Sequence, residues 1–451
     1  MPKVTVIMPS LNVVKYIASC IESVLAQTLR DIEILVIDAG SDDGTIELLQ
    51  KYAALDTRIQ IIHSDQRSYG YQINLGIARA QGEYIGIVET DDMIEPAMYS
   101  TLYHTAVETD ADYVKGRAAL FMELATGTEW RQPIGSPVNA DMTGRVVCPR
   151  IMPELLISDI YLWTGIYKSK FVKQINLNET LGAAFQDQGF LFQTISSADR
   201  AVYLDGIFYL YRQDNSGSSI YNQKAFHYLV EEYAYIEKFL ADKTGEWKSV
   251  YYQRMLNQCL GRFRTMAVSG GFWKEAVTDM EILRERLGQA VKNGMISPLT
   301  IDDGKWNILQ VYLRKSEDVY FYYKEEYKKK IYIISQFLEI GAHCQMIVFG
   351  CGRIGKYFHA LLDREKRGVI IAFCDNDRKL WNSDVQGKVV LSPEDAIRKY
   401  PDAMYVIANL RNTESIKQQL KALGIEEKHI CLFQEMPDIL LLNRNKDKEF
   451  V

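Results

Sequence analysis

The first part of the chain alternates short apolar stretches with segments whose apolar residues recur at helical spacing. The apolar stretches predict strands at 4–9, 32–38, 59–63, 84–89 and 112–115, and the amphipathic segments predict helices near 13–28, 44–54, 70–80 and 96–109. Strands that alternate with helices are typical of βαβ units, whose strands lie parallel in one sheet. An α/β domain built on a largely parallel sheet is therefore predicted from the first residue onward.

Residues 116–220 are less regular, and turns are predicted at Gly127, Gly135 and Gly144. The region ends in two apolar runs, 201–204 and 207–211, joined by Asp205-Gly206. Such a dipeptide between two strand patterns is a hairpin signal, so a two-stranded turn is expected there.

The composition shifts after Ser219 toward Tyr, Lys, Glu and Leu at helical spacing, with one interruption at Gly270-Gly271. This pattern predicts a bundle of helices packed on the first domain. The stretch 320–334 joins aromatic residues to a basic run, Lys328-Lys329-Lys330. It has two interpretations: a helix face buried in the protein core, or peripheral contact with an anionic membrane surface.

A second α/β pattern begins near residue 343. An apolar strand, 346–349, leads into the glycines of a G-x-G-x-x-G motif, Gly350, Gly352 and Gly355. A helix and a second strand follow, and that strand ends at Asp375, about twenty residues beyond the last glycine. This context predicts a small Rossmann-like domain. Two roles stay open for it: a second nucleotide site that uses Asp375, or a docking or dimerisation domain whose glycines permit close packing.

These patterns divide the chain into residues 1–220, a helical region at 221–340 and a second α/β domain at 341–451. The net charge of −6 and the pI of about 5.7 argue against nucleic acid as a partner. The seven cysteines have neither zinc-ligand nor redox spacing and are expected to be reduced thiols. With no apolar run long enough for a membrane span and no signal-peptide pattern, a cytoplasmic protein is expected, or one peripheral to the inner face of the membrane.

Four residues at the end of the strand at 84–89 carry the strongest chemical signal: Glu89, Thr90, Asp91 and Asp92. Carboxylates this close repel one another, so they are usually kept beside a cation or in open water. Ligands of α/β sheets bind at the carboxyl ends of the strands, where hard oxygen ligands suit Mg²⁺ or Mn²⁺ bound to a diphosphate. The alternative interpretation is a solvated acidic turn.

Polar residues also follow the first two strands. Pro9 and Ser10 end the first strand, and Asn12 after them is a plausible cap for the next helix. Asp38 ends the second strand, where it is placed either to accept hydrogen bonds from a base or ribose or to organise the turn. Because parallel strands end at one edge of their sheet, these residues and the acidic cluster are predicted to form one nucleotide site.

In this arrangement the chain resembles family 2 of the glycosyltransferases. The resemblance rests on the order and spacing of VTVIMPSLN (4–12), IDAGSDDGT (37–45), NLGIA (74–78) and GEYI (82–85) before ETDD (89–92), and it covers roughly residues 1–220. It implies a GT-A fold and transfer of a sugar from a nucleotide diphosphate, usually with inversion at the sugar carbon.

The resemblance also implies site residues. Pro9, Ser10, Asn12, Asp38, Glu89 and Thr90 would bind the nucleotide sugar; Asp91, with Glu89, would hold Mn²⁺ or Mg²⁺; Asp187 would be the general base; Trp163 and Tyr167 would border the acceptor. The chain departs from the family pattern at Ala39, where many members have a second Asp, and at Gln186, where the usual residue is Glu. Glu89 replaces the usual first Asp, and Asp214 stands where some members have a histidine that binds the metal.

We therefore predict an inverting, metal-dependent glycosyltransferase that acts on a hydroxyl of a glycan or lipid-linked acceptor in surface polysaccharide synthesis. Two alternatives stay open at the level of sequence. One is a nucleotide-sugar oxidoreductase or epimerase working through the carboxyl-terminal domain. The other is a non-catalytic nucleotide-sugar-binding scaffold, which the departures at Ala39 and Gln186 favour. The donor sugar, the linkage and the oligomeric state, homo-oligomer or monomer, do not follow from the sequence.

Overall fold

A computed structural model of the chain describes residues 1–123, 129–135, 140–158, 161–182, 184–215, 217–269, 271–365 and 369–442. The chain divides into two compact units. The first unit comprises Met1–Leu120, Pro133–Met266 and Phe272–Tyr320, so it takes in the region that resembles a transferase together with most of the helical region. The second unit comprises Phe121–Gln132, Ala267–Gly271 and Phe321–Val451.

The first ten strands are β1 Val4–Ser10, β2 Ile32–Asp38, β3 Ile59–His63, β4 Tyr84–Ile87, β5 Met93–Ile94, β6 Tyr113–Glu123, β7 Glu129–Ile134, β8 Val146–Val147, β9 Gly165–Lys168 and β10 Ala201–Arg212. Eight of them follow the order β3-β2-β1-β4-β9-β6-β10-β5 across one sheet. Strands β3, β2, β1 and β4 are parallel to one another, and β9 is antiparallel to both β4 and β6. The predicted parallel α/β sheet is confirmed.

The helices that accompany this sheet are α1 Ile17–Leu25, α2 Thr45–Leu55, α3 Tyr69–Arg79, α4 Met98–Thr109, α5 Leu155–Ser158, α6 Ser169–Val172 and α7 Asp187–Ser197. Every residue of β1 and β2 is buried, as expected for parallel strands covered on both faces. Helix α3 packs against β1 and β2 with no space for a side chain at Gly76, where a Cβ would lie 2.6 Å from Cγ2 of Ile7. The helix is capped by Ser68, whose hydroxyl accepts from the Tyr71 amide.

The predicted hairpin at Asp205-Gly206 is wrong, because residues 201–212 form the single continuous strand β10. The aromatic ring of Phe208 explains why Gly206 is in a strand. A Cβ on Gly206 would lie 2.4 Å from this ring, and a Cβ on Gly116 would also lie 2.4 Å from it. Both glycines therefore make space for one side chain, and the dipeptide has a packing role instead of a turn role.

The first helix also begins later than predicted, at Ile17, with Tyr16 at its N-cap. Asn12 is not the cap. It adopts a left-handed backbone conformation (φ 54°), its side-chain oxygen accepts from the Asp42 amide, and its own amide donates to the Ser41 hydroxyl. Asn12 therefore links the loop after β1 to the loop after β2.

The helical region consists of α8 Ala225–Glu237, α9 Gly245–Val268, α10 Val277–Lys292, α11 Asp303–Arg314 and α12 Ser316–His343. In the stretch 320–334, the rings of Tyr320, Tyr323 and Tyr327 are buried while those of Phe321, Tyr322 and Tyr332 are exposed, so half of its aromatic residues serve as core and half lie at the surface. Lys328 and Lys330 of the basic run pair with nearby acidic residues. Among the described residues, no helix has both the length and the apolar character needed to cross a membrane. Membrane contact and cytoplasmic location stay predictions.

The second unit contains β11 Met346–Phe349, β12 Ile370–Cys374, β13 Asp384–Val385, β14 Lys388–Leu391, β15 Met404–Ile407 and β16 Ile430–Leu432, with helices α13 Arg353–Glu365, α14 Pro393–Lys399, α15 Thr413–Ala422 and α16 Ile439–Leu442. The sheet order is β13-β14-β12-β11-β15-β16, and all neighbours except β13 and β14 are parallel. A second parallel α/β sheet is thus present, with its strand order reversing between β11 and β15.

Candidate active site

The strands β1, β2 and β4 end at the same edge of the first sheet, and a cavity of about 410 Å³ opens there. Its walls include several residues predicted from the sequence and several that were not. The lining residues are Pro9, Ser10, Leu11, Val13, Tyr69, Gln72, Glu89, Thr90, Asp91, Tyr161, Trp163, Ala184, Phe185, Asp187, Gln188, Tyr211, Asn215, Gly217, Ser218, Ser219, Gln258 and Arg262.

The end of β1 contributes Pro9 and Ser10 as predicted. The Ser10 hydroxyl is buried, and among the described residues it has no hydrogen-bond partner. A buried polar group without a partner costs free energy, and a ligand atom at the cavity wall would remove that cost. Gln72, which no sequence motif indicated, donates to the carbonyl oxygens of Ser10 and Ile37 and so holds the ends of β1 and β2 together.

Two of the predicted nucleotide contacts, Asn12 and Asp38, do not line this cavity. Asp38 is buried, and its carboxylate accepts hydrogen bonds from the Gly40 and Ser41 amides and from the Ser41 hydroxyl. This is the turn-organising alternative considered for Asp38 at the level of sequence, because three local donors occupy its oxygens. A direct contact between either residue and a nucleotide stays a prediction.

The acidic cluster divides into members with different surroundings, and Glu89 and Asp91 are the two carboxylates of the cluster that line the cavity. One oxygen of Glu89 accepts from the Tyr69 hydroxyl at 2.6 Å, and one oxygen of Asp91 accepts from the Asn215 amide at 2.8 Å. Burial raises the pKa of Glu89 to about 8; the Tyr69 hydrogen bond lowers it, and the charges of Asp91 and Asp187 raise it further. Strongly shifted carboxyl groups of this kind are concentrated at functional sites.

The other two members of the cluster serve the structure more directly. The Thr90 hydroxyl lines the cavity but donates to the Pro9 carbonyl oxygen, which joins the ends of β4 and β1. Asp92 is fully buried; its oxygens accept from the Tyr209 hydroxyl at 2.8 Å and from the Arg212 amide at 2.7 Å. It therefore ties the end of β4 to β10.

Asp187 is the first residue of α7, and its carboxylate lies in the wall of the same cavity. Burial raises the pKa of this carboxyl, while the charge of Arg254 and a hydrogen bond from Gln188 act in the opposite direction. Two residues earlier, Phe185 holds a left-handed backbone conformation (φ 71°), which is strained for a bulky side chain and occurs mainly at functional sites. The strained residue therefore lies in the turn directly before α7, two positions from Asp187.

Gln186, where the resemblance places a glutamate, has a structural role. It is 1% exposed, and its amide nitrogen donates to the carbonyl oxygens of Asn178 at 2.6 Å and Thr180 at 3.1 Å. Its amide oxygen accepts from the Gly70 amide at 2.9 Å. A site with two acceptors and one donor requires a side chain that both donates and accepts, which an ionised glutamate cannot do.

Aromatic rings form one wall of the cavity. Trp163 stacks on Tyr161 with ring centroids 4.5 Å apart and lies 5.3 Å from Tyr211, and all three line the cavity. Tyr167 does not line it, and an acceptor contact of Tyr167 stays a prediction. It is fully buried, packs on Phe190, and donates its hydroxyl hydrogen to the Leu162 carbonyl oxygen.

The helical region also reaches the cavity, through Gln258 and Arg262 of α9. Burial lowers the pKa of the Arg262 guanidinium to about 10, and the group lies over the Phe185 ring at 4.9 Å. Nothing in the sequence around α9 indicated this, because the pattern there is that of an ordinary amphipathic helix. Asp214, which stands where some family members have a histidine, pairs with Arg212 and does not line the cavity.

Backbone conformation and close packing explain two glycines of the motif in the second unit, Gly350 and Gly355. Gly350 has a positive φ of 112°, and a Cβ on Gly355 would lie 1.9 Å from the Gly350 carbonyl oxygen. Gly352 has nothing within 4 Å of its Cβ position. The carboxylate of Asp375 accepts from the amides of Cys351 and Asp377. A nucleotide site at these residues stays a prediction.

Comparison with known proteins bears on this geometry. The family model described as Glycosyl transferase family 2 matches residues 5–150. The glycosyltransferase GlyG of Streptococcus pneumoniae serotype 4 is 31% identical over 230 residues, which is 48% of this chain and 72% of that protein. The chain belongs to glycosyl transferase family 2. Family membership accounts for the strand-end cluster and for the order of its motifs along the first unit.

One further sequence and one solved structure are similar to this family 2 chain. The glycosyltransferase EpsJ of Bacillus subtilis (strain 168) is 31% identical over 216 residues, covering 47% of this chain but only 62% of EpsJ. The structure of S. aureus TarS 1–349 in complex with UDP-GlcNAc has a TM-score of 0.53 at 18% identity and covers 73% of this chain and 92% of that chain, which supports the predicted GT-A fold. The family model C2185-like, N-terminal, matches residues 343–431. An oxidoreductase or epimerase is not favoured by these matches.

Proposed function

We propose that this family 2 chain is an inverting glycosyltransferase that moves a sugar from a nucleotide-diphosphate donor to a hydroxyl of a glycan or lipid-linked acceptor, in surface polysaccharide synthesis. One observation carries the proposal. A single cavity joins two strand-end carboxylates, the half-buried carboxylate of Asp187 and the Ser10 hydroxyl, which has no hydrogen-bond partner in the described part of the chain. A direct displacement needs two parts: groups that bind the sugar donor, and a separate base that acts on the acceptor.

The donor end of the cavity fits a divalent cation. Glu89 and Asp91 each use one oxygen for a protein hydrogen bond, which leaves each a second oxygen. Among the described residues, no group of three or more His, Cys, Asp or Glu side chains could hold a metal alone. Mg²⁺ and Mn²⁺ suit such a site, because Mg²⁺ is usually held by one or two carboxylates together with substrate phosphates. Bound there, the cation supplies stabilisation for the negative charge that develops on the leaving diphosphate.

Asp187 is proposed as the general base. As the acceptor oxygen approaches the sugar carbon, its hydroxyl proton passes to a carboxylate oxygen of Asp187, and the bond from the sugar to the diphosphate breaks. Attack from the face opposite to the leaving group inverts the sugar carbon, as in glycosidases where a base activates the incoming oxygen. The surrounding burial raises the pKa of Asp187, which makes it a stronger base than an exposed aspartate.

The aromatic wall is proposed to receive the acceptor or the transferred sugar. The rings of Tyr161, Trp163 and Tyr211 supply a broad apolar surface beside the carboxylate of Asp187. Cavities that bind small ligands usually combine such surfaces with a few convergent polar groups, as this one does. Trp163 keeps the acceptor-side role predicted for it.

The test is to incubate the purified full chain with a panel of nucleotide sugars, with Mn²⁺, with Mg²⁺ or with EDTA, and to measure nucleotide release and transfer. Metal-dependent turnover of at least one donor is expected. Asp187→Asn should reduce kcat at least 10²-fold, about the contribution of a general base, while donor binding survives. Asp91→Ala should remove the metal-dependent part of donor binding, measured by thermal shift.

Asp242→Asn is the matched control, because this exposed aspartate lies on the first unit outside the cavity. Its turnover should equal that of the unmodified chain. Full turnover by Asp187→Asn would remove the base assignment, and turnover that EDTA does not reduce would remove the metal. An absorbance change on addition of NAD, without release of a nucleotide, would favour the oxidoreductase alternative.

A further inference from the structure

The residue next to the proposed base connects it to the helical region. Gln188 is 3% exposed, and its amide nitrogen donates to the Oδ2 atom of Asp187 at 2.9 Å. Its amide oxygen accepts from Nε of Arg254 at 2.6 Å and, at 3.3 Å, from the amide of Gln258. The carboxylate, the amide and the guanidinium thus form one continuous chain of hydrogen bonds.

Arg254 is itself fixed in place. It lies on α9, is 3% exposed, and donates from Nη1 to the carbonyl oxygen of Leu156. A guanidinium is always charged, and hydrogen bonds from a charged donor are stronger than those between neutral groups. A hydrogen bond from Arg254 therefore polarises the Gln188 amide, and the polarised N–H group makes a stronger hydrogen bond to Asp187.

We propose that Gln188 and Arg254 are positioning residues that aim the Asp187 carboxylate into the cavity and hold its negative charge through this hydrogen-bonded chain. The inference rests on the proposed function, in which Asp187 is the base. It gives the helical region a part in the reaction, because Arg254 lies on α9. The family resemblance covers residues 1–220 and does not extend to this helix.

The other charged and titratable groups around Asp187 determine how far its pKa would move if Arg254 were replaced by an uncharged residue. Those that interact electrostatically with it are Tyr69, Glu89, Tyr161, Glu232, Tyr233, Arg254 and Arg262. Arg254 and Arg262 are the cations in this set. Burial raises the pKa of Asp187, and Arg254 gives the largest opposing effect, followed by Gln188. Without Arg254, burial is less opposed and the pKa of Asp187 rises further.

The experiment measures kcat and kcat/KM against pH for the unmodified chain and for Arg254→Met, Arg254→Lys and Gln188→Met. A base must be unprotonated, so the rate rises with pH through its pKa. Arg254→Met should move this acid limb upward by about one pH unit, the low end of the effect of a nearby opposite charge. Gln188→Met should move it in the same direction, and Arg254→Lys, which keeps the charge, should move it less.

Arg284→Lys is the control, because Arg284 pairs with Glu281 and the Leu313 carbonyl oxygen and does not line the cavity. Its pH profile should not move. A uniform loss of rate at every pH, with the acid limb unchanged in Arg254→Met and Gln188→Met, would overturn the proposal in favour of a purely structural role. If Arg254→Met does not fold, Gln188→Met, which nearly keeps the shape of the side chain, decides alone. Retained activity of Asp187→Asn would identify failure of the base assignment instead.

Discussion

Replacing Gln186 by glutamate tests whether this position is structural in this chain. The change keeps the size of the side chain and restores the residue expected from the family pattern. In the structure, however, the amide nitrogen lies 2.6 Å from the Asn178 carbonyl oxygen and 3.1 Å from that of Thr180. An ionised glutamate would place a charged oxygen against these two acceptors in a site that is 1% exposed.

The magnitude follows from these contacts. Two buried carbonyl oxygens each lose their donor, which costs about 1–2 kcal/mol for each unsatisfied acceptor. Gln186→Glu should therefore lower the free energy of unfolding by about 2–4 kcal/mol at pH 8. A protonated carboxyl can still donate to one of the two carbonyl oxygens, which reduces the cost at low pH to about 1–2 kcal/mol.

The sign of the pH dependence follows from linkage. Burial against two acceptors raises the pKa of the new carboxyl in the folded state above that in the unfolded chain. Its stabilising effect is therefore present below the unfolded pKa and is lost as the pH rises through the folded one. Urea unfolding of Gln186→Glu and the unmodified chain at pH 5 and pH 8 measures the difference. Gln289→Glu, at an exposed glutamine on α10, is the control and should change stability by under about 0.5 kcal/mol. Equal stability of Gln186→Glu and the unmodified chain at pH 8 would refute the reasoning.

Two further changes test other contacts of the first unit. Burial raises the pKa of Glu232 to about 8, so the unmodified chain should lose stability as the pH rises from about 4.5 to about 8. Glu232→Gln should remove up to about 5 kcal/mol of this fall; parallel curves of unfolding free energy against pH would contradict it. Tyr209→Phe removes a donor to Asp92 and an acceptor for the Glu89 amide, and should destabilise by about 1–3 kcal/mol in thermal or urea unfolding. Tyr52→Phe, at an exposed hydrogen bond, should cost under about 1 kcal/mol, and an equal loss in both variants would remove the special role of Tyr209.

The parts of the fold that could be predicted are those governed by local periodicity. The alternation of apolar strands and amphipathic helices predicted β1 to β4 and the common edge at which they end. Because that edge is set by topology alone, Pro9, Ser10, Glu89 and Asp91 could be placed at one cavity before any side-chain contact was known.

The errors occurred where packing within the sheet, and not the local turn composition, decides the backbone conformation. Asp205-Gly206 has the composition of a hairpin turn, but the ring of Phe208 fills the space over Gly206 and Gly116, and the strand continues. Similarly, Gln188 and Arg254 are 66 positions apart in the chain, and no spacing rule connects them. Contacts of this kind depend on the packing of the whole unit, which a local pattern does not contain.

The structure also changes the weight of the departures from the family pattern. A glutamine in place of glutamate at position 186 favoured a non-catalytic scaffold as long as the residue was assumed to act in the reaction. The contacts of Gln186 with Asn178, Thr180 and Gly70 instead give it a role in which an amide is required. The substitution is therefore compatible with a working base one residue later. Two departures favoured the scaffold alternative, and of these only Ala39 still favours it. Ala39 concerns recognition of the nucleotide base and not the transfer step.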